Sequence, residues 1–328
     1  MYPQVSRRGV LAGAVAGAVA SVWPGEARAQ DGRRTRALRV AHLTDLHVQP
    51  ERRAGEGMAA CLAHVNALAD KPDLILTGGD LVMDTAEQGE ARTALQWDLF
   101  TKTLRDHNGI AVEHCLGNHD FWGMNKKKSA TTGEERNYGK KRALEALGLA
   151  ARYRSFDRAG WHVVVLDSVM HEGDGYIGRL DEEQWEWLKG DLAATPTDRP
   201  VLVVTHIPIL SVPAALVEPH KETGKREISR SWVLTDAKRV VGLFAKHRNV
   251  KACLSGHIHE IDRIEYQGVA YICDGAVSGN WWKGRHKECD EGYGIVDLYP
   301  DGTFEHRYVT YGWRASPNAS IEAGLYQA

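Results

Sequence analysis

Leu38-Arg39-Val40-Ala41-His42-Leu43-Thr44-Asp45-Leu46-His47 is an apolar run of strand character that ends in a carboxylate and an imidazole two residues apart. An apolar run closed by polar, ligand-type residues returns four times. Leu74 to Leu76 leads to Gly79-Asp80, and Ala111 to Leu116 leads to Gly117-Asn118-His119-Asp120. Val201 to Val204 leads to Thr205-His206, and Val250 to Leu254 to Gly256-His257-Ile258-His259. Short continuous apolar runs of this kind read as buried strands. Residues at the carboxyl ends of neighbouring strands in an open α/β sheet converge on one crevice, so side chains far apart in sequence meet in space.

The converging groups are the carboxylates of Asp45 and Asp80, the amide of Asn118 and the imidazoles of His47, His206, His257 and His259. Oxygen and nitrogen donors without a thiolate suit two divalent ions, zinc, manganese or iron, and exclude a zinc finger. A lone histidine or a Gly-Asp pair is more often a core or turn residue than a ligand. Five such segments in order, each closing a strand, make chance assembly improbable.

The pattern resembles the calcineurin-like metallophosphoesterase superfamily, whose signature runs D-x-H, GD, GNH(D/E), H and GHxH. The resemblance spans about residues 38–311 and in motif form is nearest to class III cyclic-nucleotide phosphodiesterases and glycerophosphodiesterases. It implies a four-layer αββα sandwich. It also implies that Asp45, His47 and His259 bind one ion and Asn118, His206 and His257 the other, with Asp80 bridging. His119 is then no ligand but donates to the substrate phosphate or the leaving oxygen, oriented by Asp120. Purple acid phosphatases of the same superfamily carry a Tyr three residues after the Gly-Asp aspartate; Met83 stands there, which excludes that branch.

Phosphoryl transfer asks the protein mainly for positioning and neutralisation of charge. Two ions about 3.5 to 4 Å apart clamp the phosphate and the attacking oxygen, and a water between two dications loses its proton near neutral pH. The departing alkoxide needs a proton, which a histidine of ordinary pKa, about 6.5, can give; that is the work expected of His119. The expected activity is hydrolysis of a small-molecule phosphodiester, nucleotide or glycerophosphodiester, by a metal-bridging hydroxide. A phosphomonoesterase and a non-catalytic scaffold of the same fold are the alternatives. The chain retains His119 and every ligand position, which argues against the scaffold.

Ser6-Arg7-Arg8-Gly9-Val10-Leu11, a mildly apolar stretch to Trp23, and Ala27-Arg28-Ala29 have the three regions of a twin-arginine export signal. Residues 1–29 are expected to be removed and residues 30–328 to form one metallophosphoesterase domain in the periplasm or outside the cell. The stretch is shorter than the ~20 residues of a spanning helix. Removing it takes away Arg7, Arg8, Arg28 and Glu26 and moves the net charge from −2 to −4. Such a surface does not attract polyanions, so no nucleic-acid partner is expected. Cys61, Cys115, Cys253, Cys273 and Cys289 show no paired spacing and read as buried thiols, with a Cys273–Cys289 bridge the lesser alternative. The oligomeric state is left open.

Apolar stripes predict helices over Gly57 to Ala69 and Ala91 to Leu104, and Gly178 to Leu188 resembles the helix that family members place before the His206 strand. The last third, Ile261 to Tyr311, reads as meandering edge strands of the second sheet, with turns at Gln267-Gly268 and Pro300-Asp301-Gly302. Specificity is expected in three loops that leave the ligand edge: Phe121 to Tyr138, Pro208 to Trp232, and Gly275 to His286. Lys126, Lys127 and Lys128 in the first read as a solvated surface. Trp281 and Trp282 in the third cannot both face the core of a strand, so one of them is expected to line the crevice and stack on a flat leaving group.

Overall fold

A computed structural model describes residues 34–316; the export segment read at residues 1–29 lies outside them. The chain opens with β1 (Leu38–Leu43), α1 (Ala54–Asn66), β2 (Leu74–Gly78), α2 (Glu90–His107) and β3 (Val112–Cys115). A short turn α3 (Lys126–Ser129) and α4 (Lys140–Leu147) lead to β4 (Arg154–Arg158), β5 (Trp161–Val165) and the hairpin of β6 (Val169–Glu172) and β7 (Gly175–Gly178). Next come α5 (Glu182–Ala194), β8 (Val201–Val204), α6 (Val212–Ala215), α7 (Ala237–Phe244) and β9 (Val250–Ser255). The strands β10 (Asp262–Tyr266), β11 (Val269–Cys273), β12 (Gly292–Leu298) and β13 (Phe304–Thr310) follow.

Two large sheets form, in the orders β13-β12-β1-β2-β3 and β10-β11-β9-β8-β5-β4, beside the two-stranded β6-β7 hairpin. Within them β1, β2 and β3 run parallel, as do β5, β8, β9 and β11. Alternation along β1 divides its side chains between two faces. Leu38 and Val40 meet Val163, Leu202, Leu254 and Ile272 of the other sheet, and this inter-sheet core excludes the helices. Ala41 and Leu43 instead pack under Met58, Leu62, Trp97 and Phe100 of α1 and α2. On the far side Val164, Val203 and Cys253 pack under Leu188 of α5 and Phe244 of α7. Three cores between four layers make the αββα sandwich.

The last third divides between the sheets instead of edging the second one. β10 and β11 join the six-stranded sheet, whereas β12 pairs antiparallel with β1 in the other. Every residue of β12 is buried, which suits an inner strand, and the half-exposed β13 takes the edge. The Gln267-Gly268 turn is as read: both residues have positive φ, 52° and 83°, the form that a two-residue hairpin favours. The stripe at Gly178 to Leu188 starts as the end of β7 and becomes helical only at Glu182, where the Asp181 side chain accepts from Gln184 N–H at 2.9 Å. All five cysteines are buried and free, Cys273 and Cys289 included. No described helix is long and apolar enough to cross a membrane.

Candidate metal centre

The turns after β1, β2, β3, β8 and β9 all leave the same edge of the two packed sheets. Asp45, His47, Asp80, His257 and His259 have positive φ, between 45° and 71°. That conformation costs a non-glycine residue about 1 to 2 kcal/mol, and its concentration here marks a site held by its surroundings. The hold is visible: Asp45 N–H donates to Gly79 O at 3.0 Å, His47 N–H to Asp80 O at 2.9 Å and Gly256 N–H to His206 O at 3.0 Å. Two glycines are there for space. A Cβ on Gly117 would collide with the Asp80 carboxylate and backbone, and one on Gly256 with Thr44 and the Asp45 carboxylate.

The candidate ligands meet in two linked groups. His47 Nε2 lies 3.1 Å from His259 Nε2, and His259 Nε2 lies 3.3 Å from Asp45 Oδ1. His206 Nε2 lies 3.2 Å from Asp80 Oδ2, 3.1 Å from Asn118 Oδ1 and 3.2 Å from His257 Nδ1. Asp80 Oδ2 is also 3.7 Å from His47 Nε2, so this carboxylate stands between the groups. All seven side chains proposed from sequence as ligands are therefore together. His119 is at their edge, with Nε2 3.9 Å from Asp80 Oδ2 and its ring edge-on to His47 at 4.7 Å.

These groups fit a bound dication. His206 Nδ1, His257 Nε2 and His259 Nδ1 donate outward to the carbonyls of Gly78, Ser231 and Gly279 at 2.8, 2.9 and 2.6 Å. When neutral, each ring turns a bare nitrogen inward, the arrangement that a metal-binding histidine requires. Asp45 Oδ1 is buried without a hydrogen-bond partner, while its Oδ2 accepts from Thr44 Oγ1 and His257 N–H at 2.6 and 2.9 Å. Electrostatics agree. Burial opposes the ionisation of Asp45 and Asp80, but the histidines around them prevail and hold both well below the ordinary carboxylate value. Burial would lower His206 too, yet Asp80 and Asp45 raise it to about 9. Burial, with His206 beside it, keeps His257 down at about 4. The pocket is built to hold positive charge against two buried carboxylates.

Two expectations are corrected. Asp120 does not orient His119: its Oδ2 accepts from Gly117 N–H at 2.8 Å and its Oδ1 from Leu81 N–H at 2.9 Å and Val82 N–H at 3.4 Å. It clamps the turn after β3 to the turn after β2, because a fully buried carboxylate takes the nearest unpaired backbone donors. His119 is held by its backbone, whose N–H donates to Asp80 Oδ1 at 2.9 Å and whose carbonyl accepts from Thr85 N–H and Oγ1 at 3.0 and 2.7 Å. Trp282 does not line the crevice either. It is 0% exposed, with Gly57 packed on its ring and its indole turned beneath His47. Trp281 does reach the crevice, 4.6 Å from the His259 ring and 5.9 Å from that of His47.

The crevice measures about 420 Å³, and Tyr176, Pro213, Ala214 and Trp232 also line it. Pro213, Ala214 and Trp232 lie in the Pro208 to Trp232 loop expected to carry specificity, although no single residue of it was singled out, whereas Tyr176 on the hairpin was not read from sequence. The lysines at 126–128 stay outside; Lys128 pairs with Glu87 at 2.7 Å.

The sequence model of the calcineurin-like phosphoesterase family matches residues 38–260, from the first strand through both histidines after β9. The chain belongs to this family. As a calcineurin-like phosphoesterase it is a metal-dependent phosphoester hydrolase. It is 25% identical to a 3',5'-cyclic-nucleotide phosphodiesterase of Nostoc sp. over 87% of this chain and 97% of that protein. It is 27% identical to a 3',5'-cyclic adenosine monophosphate phosphodiesterase of Haemophilus influenzae over 70% and 73% of the two chains. Among solved structures a dimetal phosphatase from Danio rerio shares the fold, with a TM-score of 0.57 at 14% identity, covering 85% of this chain and all of the other.

Proposed function

We propose that this calcineurin-like phosphoesterase is a dinuclear phosphodiesterase acting on a small molecule, with a nucleotide-type or glycerol-type diester as substrate. One observation carries the reading: Asp80 Oδ2 stands between two groups of inward-facing nitrogens, with His119 opening on the crevice beside it. Asp45, His47 and His259 would hold one ion, Asn118, His206 and His257 the other, and Asp80 would bridge. Bound there, two divalent ions of the manganese, iron or zinc kind supply charge neutralisation for the phosphate and a lowered pKa for water.

The chain's own residues do the rest. His119 is 27% exposed at the side chain, and Nε2 is the atom from which a proton passes to the departing ester oxygen. The water oxygen joins phosphorus, the ester P–O bond breaks, and the alcohol leaves with that proton. Trp281 flanks the leaving group. The names of the relatives favour a diester over a monoester, and residues 1–29 favour twin-arginine export. A panel of chromogenic mono- and diesters on metal-reconstituted protein tests the activity: faster hydrolysis of diesters is expected, and turnover of monoesters alone would overturn the diester reading. Cell fractionation of the full chain against an Arg7→Lys, Arg8→Lys double variant tests the export.

A further inference from the structure

The crevice has a second wall. Trp281 stands against the end formed by Asp45, His47 and His259, with the His286 ring 5.9 Å beyond it. Against the other end Tyr176 lies 6.1 Å from the His257 ring, and Trp232, Pro213 and Ala214 continue that wall. Its backbone is fixed to the centre and to β7. Ser231 O accepts from His257 Nε2 at 2.9 Å, Gly178 N–H donates to Arg230 O at 2.8 Å, and Thr235 N–H donates to Gly178 O at 2.7 Å. Trp232 is nevertheless 44% exposed. An indole on a pinned backbone at the mouth of a crevice offers apolar surface to a ligand at little conformational cost.

Size and charge narrow the ligand. About 420 Å³ exceeds what a phosphate group needs and falls in the range of sites that enclose whole small molecules. The charged lining residues outside the centre, Glu260 and Lys287, pair with each other at 2.5 Å, so this part of the lining adds no net charge. The His119 ring packs on His47, the ring that Trp281 also neighbours at 5.9 Å, so the proton donor and Trp281 both border the His47 side of the crevice.

We propose that Tyr176 and Trp232 bind the retained organic arm of a diester whose other arm leaves along Trp281, so that the preferred substrates carry an uncharged, flat or apolar group on each ester oxygen. This rests on the phosphodiesterase reading above. The test compares kcat/KM for bis(p-nitrophenyl) phosphate and methyl p-nitrophenyl phosphate, which share a leaving group and differ in the retained arm. In Trp232→Ala the ratio of the first to the second should fall about 5- to 30-fold, as expected for the loss of one partly exposed stacking contact. Trp281→Ala should lower both rates and hold the ratio within about threefold. Thermal melts of both variants verify that each folds, which the exposure of Trp232 favours. An unchanged ratio in Trp232→Ala, with wild type active on both diesters, overturns the second wall alone. Wild-type inactivity on both diesters overturns the phosphodiesterase reading with it.

Discussion

The indole N–H of Trp282 donates to two carbonyl oxygens at once, those of Leu46 and His47, each at 3.0 Å. His47 has a φ of 45°, and its two ring neighbours in the centre come from turns 72 and 212 residues further along. A residue held in that conformation keeps it only while its surroundings demand it. Trp282 supplies part of the demand from below, whereas its neighbour Trp281 faces the crevice from above.

The two tryptophans therefore fail differently. Trp282→Ala leaves a cavity in the core and two carbonyls without their donor, and should cost about 3 to 5 kcal/mol of stability. Trp281→Ala should cost less than about 1 kcal/mol, as for a residue at the rim. Urea denaturation of both variants measures this; equal losses would contradict the division of labour.

Asp80→Ala should reduce bound metal from two ions toward one or none and abolish hydrolysis with it, since one carboxylate serves both groups. Elemental analysis of the purified variant counts the ions. Two ions retained by an active variant would remove Asp80 from the bridging position.

His119→Ala should keep both ions and lose about 10²- to 10⁴-fold in kcat, the usual worth of a general acid. The loss should shrink for p-nitrophenyl esters, whose leaving group needs little protonation. Asp120→Asn should behave otherwise, because it disturbs the clamp on Gly117 and Leu81 and not the His119 ring. A stability loss of about 1 to 3 kcal/mol is expected, with the dependence of rate on leaving-group pKa kept as in wild type. A flattened or steepened dependence in Asp120→Asn would restore it as the orienting group.

Far from the crevice, His162 sits between Asp191 at 2.9 Å and Asp157 at 2.6 Å, with Arg199 paired to Asp157. The hydrogen bond to Asp191, against burial and with help from Asp157, raises the His162 pKa above its ordinary value of 6.5. A raised folded-state pKa stabilises fully below the unfolded value and loses that contribution as pH climbs through the folded one. The melting-temperature gap between wild type and His162→Gln should therefore be widest at pH 6 and narrow by pH 9. A gap that is constant across that range would show that protonation plays no part.

The buried strands and the convergence of the seven candidate ligands were legible because both rest on local signals, whereas the four-layer sandwich was implied by the family resemblance. Apolar runs such as Val201 to Val204 name buried strands, and a histidine or aspartate just past each run names the shared edge. What escaped is set by contacts across the fold. Alternation cannot tell that β12 inserts beside β1 and leaves the edge to β13, since partner choice depends on both faces being covered. Thr85, which holds the His119 carbonyl, reads as an ordinary turn residue. His42 reads as one more strand position, yet it is buried on Asp274 at 2.7 Å, and Asp274 takes His306 on its other oxygen at 2.8 Å. In the Trp281-Trp282 pair the sequence says that one indole must leave the core, but only the placement of Gly57 decides which.

The five sealed thiols divide the life of the chain into two redox regimes. Folded, it presents no cysteine thiol to an oxidant, and burial pushes Cys61, Cys115, Cys253, Cys273 and Cys289 all upward in pKa and away from the reactive thiolate. Unfolded, it presents an odd number of them, so that no set of bridges within one chain satisfies every thiol and the leftover cross-links chains. Refolding should thus succeed under reductant and scatter into covalent oligomers without it. The native molecule should be indifferent to the same oxidant, and for this fold closure has to come before exposure to an oxidising medium.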